Sequence, residues 1–253
     1  MARDGGYEDR LLEKLMARRL RRLVAEREKA AGEAEQSTIA PAVFKAQEEL
    51  IGRYAPGRSF VDLACLWQMN GACAFVAEEL GATRVTASDK WPASEEYDAD
   101  HKQRNSDVVF QMADLHEPEH VAALGVHDVV WCSGLMYHTP SPYLVMANVL
   151  AITGEYLIVG SKVIPDVPGL PGAAVYYPGL SGEQRQQYAP ISKTVAQQPF
   201  AAENHGQNWF WGLSPEAIVS LAGSVRPVEL VEQIDLPWLR RHDSCYLVLR
   251  VRD

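Results

Sequence analysis

The sequence predicts an α/β fold: a doubly wound, mostly parallel sheet of seven strands that closes in an antiparallel hairpin. Its 253 residues, 47% hydrophobic and 23% charged, are typical of a folded globular chain with a sizeable core. Short apolar strand patterns alternate with helical patterns through the middle of the chain, which predicts right-handed crossovers and parallel strands. The last two strand patterns have no helix between them, so we expect them to pair antiparallel.

Five short, largely apolar runs predict the parallel strands. These strands are expected at 60–63, 84–88, 107–112, 128–133 and 155–160. Apolar residues at helical spacing predict helices over 71–80, 117–124, 142–152 and 214–222. The two strands of the terminal hairpin are expected at 225–232 and 245–251.

Residues 1–40 are expected to form an N-terminal helical lid or arm ahead of a main domain over 41–253. Apolar residues recur at helical spacing through 7–34, and a second helix is expected to begin at Pro41. Residues 1–34 contain nine basic and seven acidic side chains, a net charge of +2. A basic amphipathic helix can bind a membrane or RNA, but a lid or a homodimer contact is the more ordinary role.

Residues 162–207 break the alternation of strands and helices. They are rich in proline, glycine and tyrosine and show no clear periodicity. A connection of this length inside a compact domain is usually functional. We therefore expect these residues to form a cap that faces the substrate.

Charge and cysteine content narrow the expected partners. The formal net charge is −9, whereas a nucleic-acid or anionic-membrane binder presents a positive surface. The four cysteines form no Cys-x-x-Cys pair, no signal-peptide pattern opens the chain, and no apolar run suits a bilayer span. We expect a cytoplasmic protein with a small-molecule substrate, with nucleic acid disfavoured and no membrane partner.

The carboxyl ends of the parallel strands form the ligand-binding edge of such a sheet. The loop after the first strand contains Ala64 and Gly71, small residues that let the backbone approach a ligand closely. Asp89 follows Gly71 by 18 residues and ends the second strand, where a carboxylate can accept hydrogen bonds from both hydroxyls of a ribose. The loop has one glycine instead of the three that cradle a pyrophosphate, so an adenosine without phosphates fits better.

Four segments follow one another at the ends of the predicted strands. They are Phe60-Val61-Asp62-Leu63-Ala64-Cys65, Asp89, Met112-Ala113-Asp114-Leu115 and Asp128-Val129-Val130-Trp131-Cys132-Ser133. In this order, and with the terminal hairpin, they resemble the motif series of class I S-adenosylmethionine-dependent methyltransferases over residues 59–253. The resemblance implies a Rossmann-like domain whose cofactor is S-adenosylmethionine.

The resemblance also implies how the cofactor is held. Its methionine end would lie against Asp62 and the loop after it, its ribose against Asp89, and its adenine amino group against Asp114. The complete implied set is Asp62, Ala64, Cys65, Trp67, Gly71, Asp89, Lys90, Ala113, Asp114, Leu115 and Ser133. The chain departs from the family in the first loop, where the usual Gly-x-Gly is Ala64-x-Leu66 and Trp67 is inserted.

Two more stretches are particular to this chain. They are Gly134-Leu135-Met136-Tyr137-His138 before Pro140, and Asn208-Trp209-Phe210-Trp211 before Ser214. Both resemble the branch of the family that contains the tRNA wobble-uridine carboxymethyltransferase. Because the chain is acidic, we carry over the fold and the site from this branch but not a tRNA substrate.

The candidate catalytic residues are aromatic side chains and histidines. Aromatic faces stabilise a sulfonium cation without attacking it, which suits Tyr137 after the fourth strand and Tyr176 in the cap. His138 is the first candidate for a general base, and His205 is the second. For each of these side chains ordinary packing is the alternative role.

No metal is expected at this site. No cluster of histidine, cysteine and acidic residues has the spacing of metal ligands. His116 and His120 are four residues apart, and we expect both to face solvent.

Three functions remain open on the sequence. The first is methyl transfer to nitrogen or oxygen of a small molecule, as in natural-product biosynthesis. The second is a cyclase or lyase reaction that releases methylthioadenosine, similar to azetidine-2-carboxylate synthases with their aromatic cage and helical lid. The third is a non-catalytic cofactor-fold subunit that binds a partner through the helix over 7–34.

Overall fold

The computed structural model describes residues 41–67, 69–164, 166–167, 169–170, 172–181, 183, 208–238 and 241–252. By its internal contacts the chain divides into Met1–Leu50 and Ile51–Asp253. The predicted lid over 1–40 and the homodimer contact lie outside the described residues, as do His205 and most of the second half of the predicted cap. They stay predictions.

The main sheet has the predicted mixed architecture. The strands in chain order are β1 (Ser59–Leu63), β2 (Arg84–Asp89), β3 (Val109–Met112), β4 (His127–Ser133), β5 (Thr153–Lys162), β6 (Ala174–Tyr176), β7 (Trp211–Leu213), β8 (Val228–Trp238) and β9 (Arg241–Val251). Seven of them form one sheet in the order β3-β2-β1-β4-β5-β9-β8. β1 to β5 are parallel, and β9 pairs antiparallel with both β5 and β8. The predicted fold class is confirmed.

Helices precede β1, connect the parallel strands and lead into the terminal hairpin. They are α1 (Pro41–Tyr54), α2 (Ala72–Glu79), α3 (Glu95–Arg104), α4 (Pro118–Ala123), α5 (Pro142–Ala151) and α6 (Pro215–Val225). Proline in the first turn of α4, α5 and α6 starts each helix without losing an internal hydrogen bond. The side chain of Ser214 caps α6 by accepting from the N–H of Ala217 at 3.1 Å.

The periodicity of the sequence did not reveal α3. This helix is polar almost throughout, and Tyr97 is its buried residue, so no apolar stripe marks it. Its ends carry the signal instead. Ser94 accepts from the N–H of Tyr97 at 3.0 Å, and Asn105 ends the helix in the left-handed conformation.

The core lies on both faces of the central strands. In β4 the residues from Val129 to Cys132 are each at most 1% exposed, a continuous apolar run typical of a parallel strand covered on both sides. One face packs against α5 and α6 through an apolar cluster that includes Val61, Leu63, Val130, Val149 and Ile218. On the other face the Trp131 ring lies 5.2 Å from the Tyr246 ring, centroid to centroid. Each fully buried side chain of this size contributes roughly 1.5–3 kcal/mol to folding.

The predicted cap contains regular structure that the sequence did not indicate. β6 pairs antiparallel with β7, which lies beyond the predicted end of the cap. A Cβ atom at Gly212 would lie 2.8 Å from both Ile164 Cγ2 and Tyr177 Cζ, so only glycine fits between these side chains. Because the strands are three residues long and far apart in sequence, no periodic pattern marks them.

No helix in the described part of the chain is long and apolar enough to cross a membrane.

Candidate functional site

The loop after β1 turns tightly at the carboxyl edge of the sheet. Ala64, Asn70 and Gly71 have φ values of 56°, 44° and 74°. The N–H of Gly71 donates to the carbonyl of Cys65 at 2.8 Å, which closes the loop onto itself. The resemblance expects glycine at Ala64, and the left-handed conformation there explains why: a Cβ atom in that region costs about 1–2 kcal/mol.

Gly71 satisfies a second constraint at the end of this loop. A Cβ atom at Gly71 would lie 2.8 Å from Cδ2 of Tyr97, so the Tyr97 ring fits only against glycine. Tyr97 in turn stacks on Phe75 of α2 with ring centroids 5.3 Å apart. The loop is therefore held from α3 as well as from within.

Asp89 links the first two loops of the edge. Its carboxylate is 7% exposed and accepts from two backbone N–H groups, Leu66 to Oδ2 at 3.0 Å and Trp91 to Oδ1 at 3.2 Å. Each carboxylate oxygen has two lone pairs, so Asp89 keeps acceptor capacity for a ligand. This is where the sequence placed a ribose-binding acid.

The residues beside Asp89 are open to solvent. Trp67 is 65% exposed and Trp91 is 62% exposed. The Nζ atom of Lys90 lies 5.1 Å from the centroid of the Trp91 ring, within cation–π range. The structure thus puts Trp67 and Lys90 at the rim of the edge.

Asp62 is a buried carboxyl group beneath the first loop. It accepts from the backbone N–H of Ala74, and its Oδ2 atom has no hydrogen-bond partner among the described residues. Burial raises the pKa of Asp62 to about 8, with a smaller contribution from the nearby charge of Asp89. A buried oxygen without a hydrogen bond costs free energy, which a donor or a cation at this position would recover. Cys65 is also buried, and burial raises the pKa of its thiol.

The loop after β3 brings Asp114 to the same edge, between the buried residues Ala113 and Leu115. Asp114 Oδ1 accepts from the backbone N–H of His116 at 2.9 Å and lies 3.0 Å from His116 Nδ1. Burial would raise the pKa of Asp114, but the hydrogen bonds from His116 outweigh it and lower the pKa below its usual value. Asp114 is therefore an ionised acceptor.

The expectation that His116 faces solvent is wrong. Its ring is half-buried and lies between Asp114 and Thr139, with Nε2 2.7 Å from Thr139 Oγ1. Sequence reasoning missed both His116 and Thr139, because their contact joins the loops after β3 and β4. His120 is exposed, as expected.

An aromatic cluster follows β4. The ring of Tyr137 lies 4.2 Å from the His138 ring and 4.4 Å from the Trp209 ring, centroid to centroid. The Tyr137 hydroxyl lies 3.7 Å from the position of a Cβ atom on Gly134, at the turn that ends β4. Burial raises the pKa of Tyr137 well above its ordinary value, so the phenol keeps its proton.

Hydrogen bonding fixes the tautomer of His138. Its Nδ1 atom lies 2.8 Å from the carbonyl oxygen of Asn208, which can only accept, so Nδ1 carries the proton. Burial lowers the pKa of His138 below its ordinary value, so the ring is neutral at pH 7 and Nε2 carries a lone pair. Nε2 has no hydrogen-bond partner among the described residues.

The β6–β7 pair is joined to this cluster by backbone hydrogen bonds. The N–H of Phe210 donates to the carbonyl of Tyr137 at 2.8 Å, and the N–H of Tyr177 donates to the carbonyl of Phe210 at 2.9 Å. Tyr176 is 48% exposed, and its ring packs 4.9 Å from the Trp211 ring. The structure therefore brings the β6–β7 pair to the Tyr137 loop but gives no direct contact between Tyr176 and Tyr137.

Ser133 lies at the same edge, at the end of β4. Its Oγ atom is 3.4 Å from the hydroxyl of Tyr246. A Cβ atom on Gly160 would collide with Ser133 and Tyr246, so these three residues pack without spare room. Within the described part of the chain, no group of three or more histidine, cysteine or acidic residues is placed to hold a metal ion.

Comparison with known proteins gives the fold its class. No family model matches the sequence, and no curated protein matches it either. The structure is similar to the N-terminal domain of EvdMO1 crystallised with S-adenosylhomocysteine (SAH) and D-fucose, with a TM-score of 0.56 and 14% identity over 87% of this chain and 85% of that one.

Two other solved structures have the same architecture. Magnesium protoporphyrin IX methyltransferase (ChlM) from Synechocystis PCC 6803, with bound SAH, has a TM-score of 0.56 and 14% identity over 82% of this chain and 83% of its own. The [4+2]-cyclase SpnF has a TM-score of 0.54 and 12% identity over 86% and 84%. This chain shares the Rossmann-like α/β fold of these two methyltransferase-fold structures and the cyclase, and the resemblance to the tRNA-modifying branch stays a prediction.

Proposed function

We propose that this protein is an S-adenosylmethionine-dependent methyltransferase that methylates an oxygen or nitrogen atom of a small molecule. The observation that carries the proposal is the trio of carboxyl groups, Asp62, Asp89 and Asp114, which follow one another along a single edge of the parallel sheet. Two proteins of this fold, EvdMO1 and ChlM, are crystallised with SAH. The net charge of −9 disfavours a tRNA substrate.

The residues of the edge suit this cofactor on chemical grounds. The unpartnered Oδ2 of buried Asp62 matches the methionine ammonium, and the remaining lone pairs of Asp89 match the ribose hydroxyls. Oδ2 of Asp114 has no hydrogen-bond partner among the described residues and matches the adenine amino group. When bound, the cofactor supplies a methyl group activated by a sulfonium.

His138 supplies the base that such a transfer needs. An oxygen or nitrogen acceptor is a better nucleophile once its proton has an acceptor within reach. Neutral His138 offers Nε2 for that proton, while the carbonyl of Asn208 holds the ring through Nδ1. The Tyr137 ring lies against the His138 ring and supplies an aromatic face for a cation.

On this proposal the acceptor is a small molecule, because the β6–β7 pair lies against the aromatic cluster of Tyr137. The backbone bonds of Phe210 and Tyr177 hold that pair against the cluster, and Tyr176 and Trp211 add an aromatic wall. Aromatic walls with few polar groups are typical of small-molecule pockets. The four buried, free cysteines fit a reducing cytoplasm, where we place the activity.

A second candidate is a cyclase or lyase that consumes the cofactor and releases methylthioadenosine. The aromatic cluster of Tyr137, His138 and Trp209 favours it, since such faces stabilise a sulfonium during attack from within the molecule. The cyclase SpnF has a similar fold. The third candidate, a non-catalytic subunit, draws its support from the strained Ala64 in place of glycine.

One experiment separates the three candidates. The full chain is incubated with S-adenosylmethionine labelled in the methyl group, alone and with a panel of small phenols, alcohols and amines, and the products are analysed by mass spectrometry. Methyl transfer predicts SAH and a labelled acceptor in the panel reactions. Methylthioadenosine formed without an acceptor would replace this proposal by the cyclase, and a failure to bind SAH would leave the non-catalytic subunit.

A further inference from the structure

A chain of hydrogen bonds joins the loop after β3 to the loop after β4. Asp114 Oδ1 lies 3.0 Å from His116 Nδ1, and His116 Nε2 lies 2.7 Å from Thr139 Oγ1. Thr139 Oγ1 also accepts from the backbone N–H of Ser141 at 3.1 Å, at the start of α5. Thr139 is 1% exposed and adjoins His138 in the chain.

The chemistry of the groups fixes the direction of the hydrogen bond to Asp114. The ionised carboxylate of Asp114 only accepts, so His116 Nδ1 is protonated and donates to it. When Nε2 carries a lone pair, the Thr139 hydroxyl donates to it while the oxygen of that hydroxyl accepts from the N–H of Ser141. One arrangement of protons therefore satisfies every link in the chain.

We propose that His116 is a positioning residue that holds the Asp114 carboxylate for the adenine amino group, and that Thr139 ties this hold to the Tyr137–His138 loop. The inference rests on the proposed function. His116 donates twice to Oδ1, from its backbone and from its ring, which turns the carboxylate and leaves Oδ2 for a ligand. Without the ring, only the backbone N–H of His116 holds the carboxylate against rotation about its Cβ–Cγ bond.

Two hydrogen bonds tie neighbouring residues of the loop after β4 to different parts of the protein. His138 is bound to Asn208, on the chain that leads into β7, whereas its neighbour Thr139 is bound to His116 on the β3 loop. A ligand bound to Asp114 is therefore connected, through His116, to Thr139, the residue next to the proposed base His138. His116 thereby links recognition of the adenine ring to the place where the acceptor reacts.

The test compares two ligands that differ at the adenine amino group. Calorimetry measures the dissociation constants of SAH and of S-inosylhomocysteine, in which a carbonyl oxygen replaces the amino group and removes the donor at that position of the ring. The wild-type chain should prefer SAH. Thr139→Val, which removes only the hydroxyl, should weaken SAH binding by about fivefold, the loss expected for one hydrogen bond, and leave the inosine analogue unchanged.

Matched variants separate positioning from general damage. Thr139→Ser restores the hydroxyl and should restore the preference, and His120→Ala, an exposed change on α4, should have no effect. In a His116→Ala background, Thr139→Val should cost nothing further, because the two residues act in one chain. A uniform loss of both ligands in Thr139→Val, or additive effects in the double variant, would overturn the inference. If the wild-type chain bound no SAH, the proposed function itself would fail.

Discussion

The two halves of the candidate site are held together in different ways. The proposed adenosine side comprises 64–67, 69–71, 89–91 and 113–116, and its carboxylates accept backbone N–H groups from the loops around them. The proposed acceptor side comprises 134–139, 174–177 and 208–211. Its aromatic rings pack together, and a backbone hydrogen bond joins Tyr137 to Phe210, about seventy residues apart in sequence.

This difference suits the two sides to different tasks, recognition of one fixed ligand on the first and accommodation of an acceptor on the second. Charge-assisted hydrogen bonds have fixed donors and directions, so the adenosine side can recognise one ligand. Ring packing is less directional than a charge-assisted hydrogen bond, so on our proposal the aromatic side accommodates acceptors of different shape. The His116–Thr139 contact is where the two sides meet.

The largest effect should come from Asp89 on the adenosine side. Asp89→Ala removes the acceptor for two ribose hydroxyls and should raise the dissociation constant of SAH by about a hundredfold or more, since each charge-assisted bond contributes about 1.5–3 kcal/mol. Calorimetry measures the change. Thermal unfolding of the same variant is needed as a control, because Asp89 also holds the backbone of Leu66 and Trp91. Affinity equal to that of the wild-type chain would exclude Asp89 from ribose binding.

Tyr137 tests the acceptor side by itself. Tyr137→Ala should leave SAH affinity within about twofold but lower turnover by about tenfold, because a desolvated aromatic face is worth about 1–2 kcal/mol to a cation. Release of SAH in the presence of an active acceptor measures the rate. Tyr137→Phe keeps the ring and should keep most of the activity. A Phe variant as slow as the Ala variant would show that the hydroxyl, not the ring, matters.

Asp62 should strengthen ligand binding but lower the free energy of unfolding of the ligand-free protein. Asp62→Asn should weaken SAH binding by about tenfold, through loss of a charged acceptor for the ammonium, yet stabilise the ligand-free protein. With its pKa raised from 3.8 to about 8, Asp62 binds its proton more tightly in the folded chain than in the unfolded chain. Wild-type stability is therefore lost as the pH rises from 3.8 to 8. The advantage of the Asn variant should grow across this range and level off above it. Urea unfolding at a series of pH values measures it, and a constant difference would contradict this account.

Ala64 should give the smallest effect. Ala64→Gly removes a Cβ atom from a residue at φ 56° and should stabilise the protein by up to about 1 kcal/mol, partly offset by the greater freedom of glycine when unfolded. Asn70→Gly is the matched control at φ 44°, and it should gain less because asparagine tolerates this conformation. Thermal unfolding compares them. Destabilisation of the Ala64 variant would mean that the methyl group packs favourably.

Much of the adenosine side could be predicted from the sequence because it depends on local order. Asp62 and Asp89 lie at the carboxyl ends of β1 and β2, and Asp114 lies two residues after β3, so their positions follow from the strand pattern. The fold class followed for the same reason. The helix α3 escaped notice because a solvated helix has no apolar stripe.

The acceptor side could be predicted only residue by residue. Tyr137 and His138 stood out by motif, but their partners Trp209 and Asn208 are some seventy residues away, and no spacing rule connects them. His116 was placed in solvent because its partner Thr139 lies in another loop. Contacts of this kind are set by the topology of the sheet and become visible only once the strands are in order.

A crystal structure of the protein with bound SAH would show whether both sides form one site. We expect the ribose hydroxyls against Asp89, the adenine amino group against Asp114, and the sulfur atom facing the rings of Tyr137 and His138. SAH bound elsewhere, or bound at Asp89 with its sulfur directed away from Tyr137, would show that the two sides do not form one site.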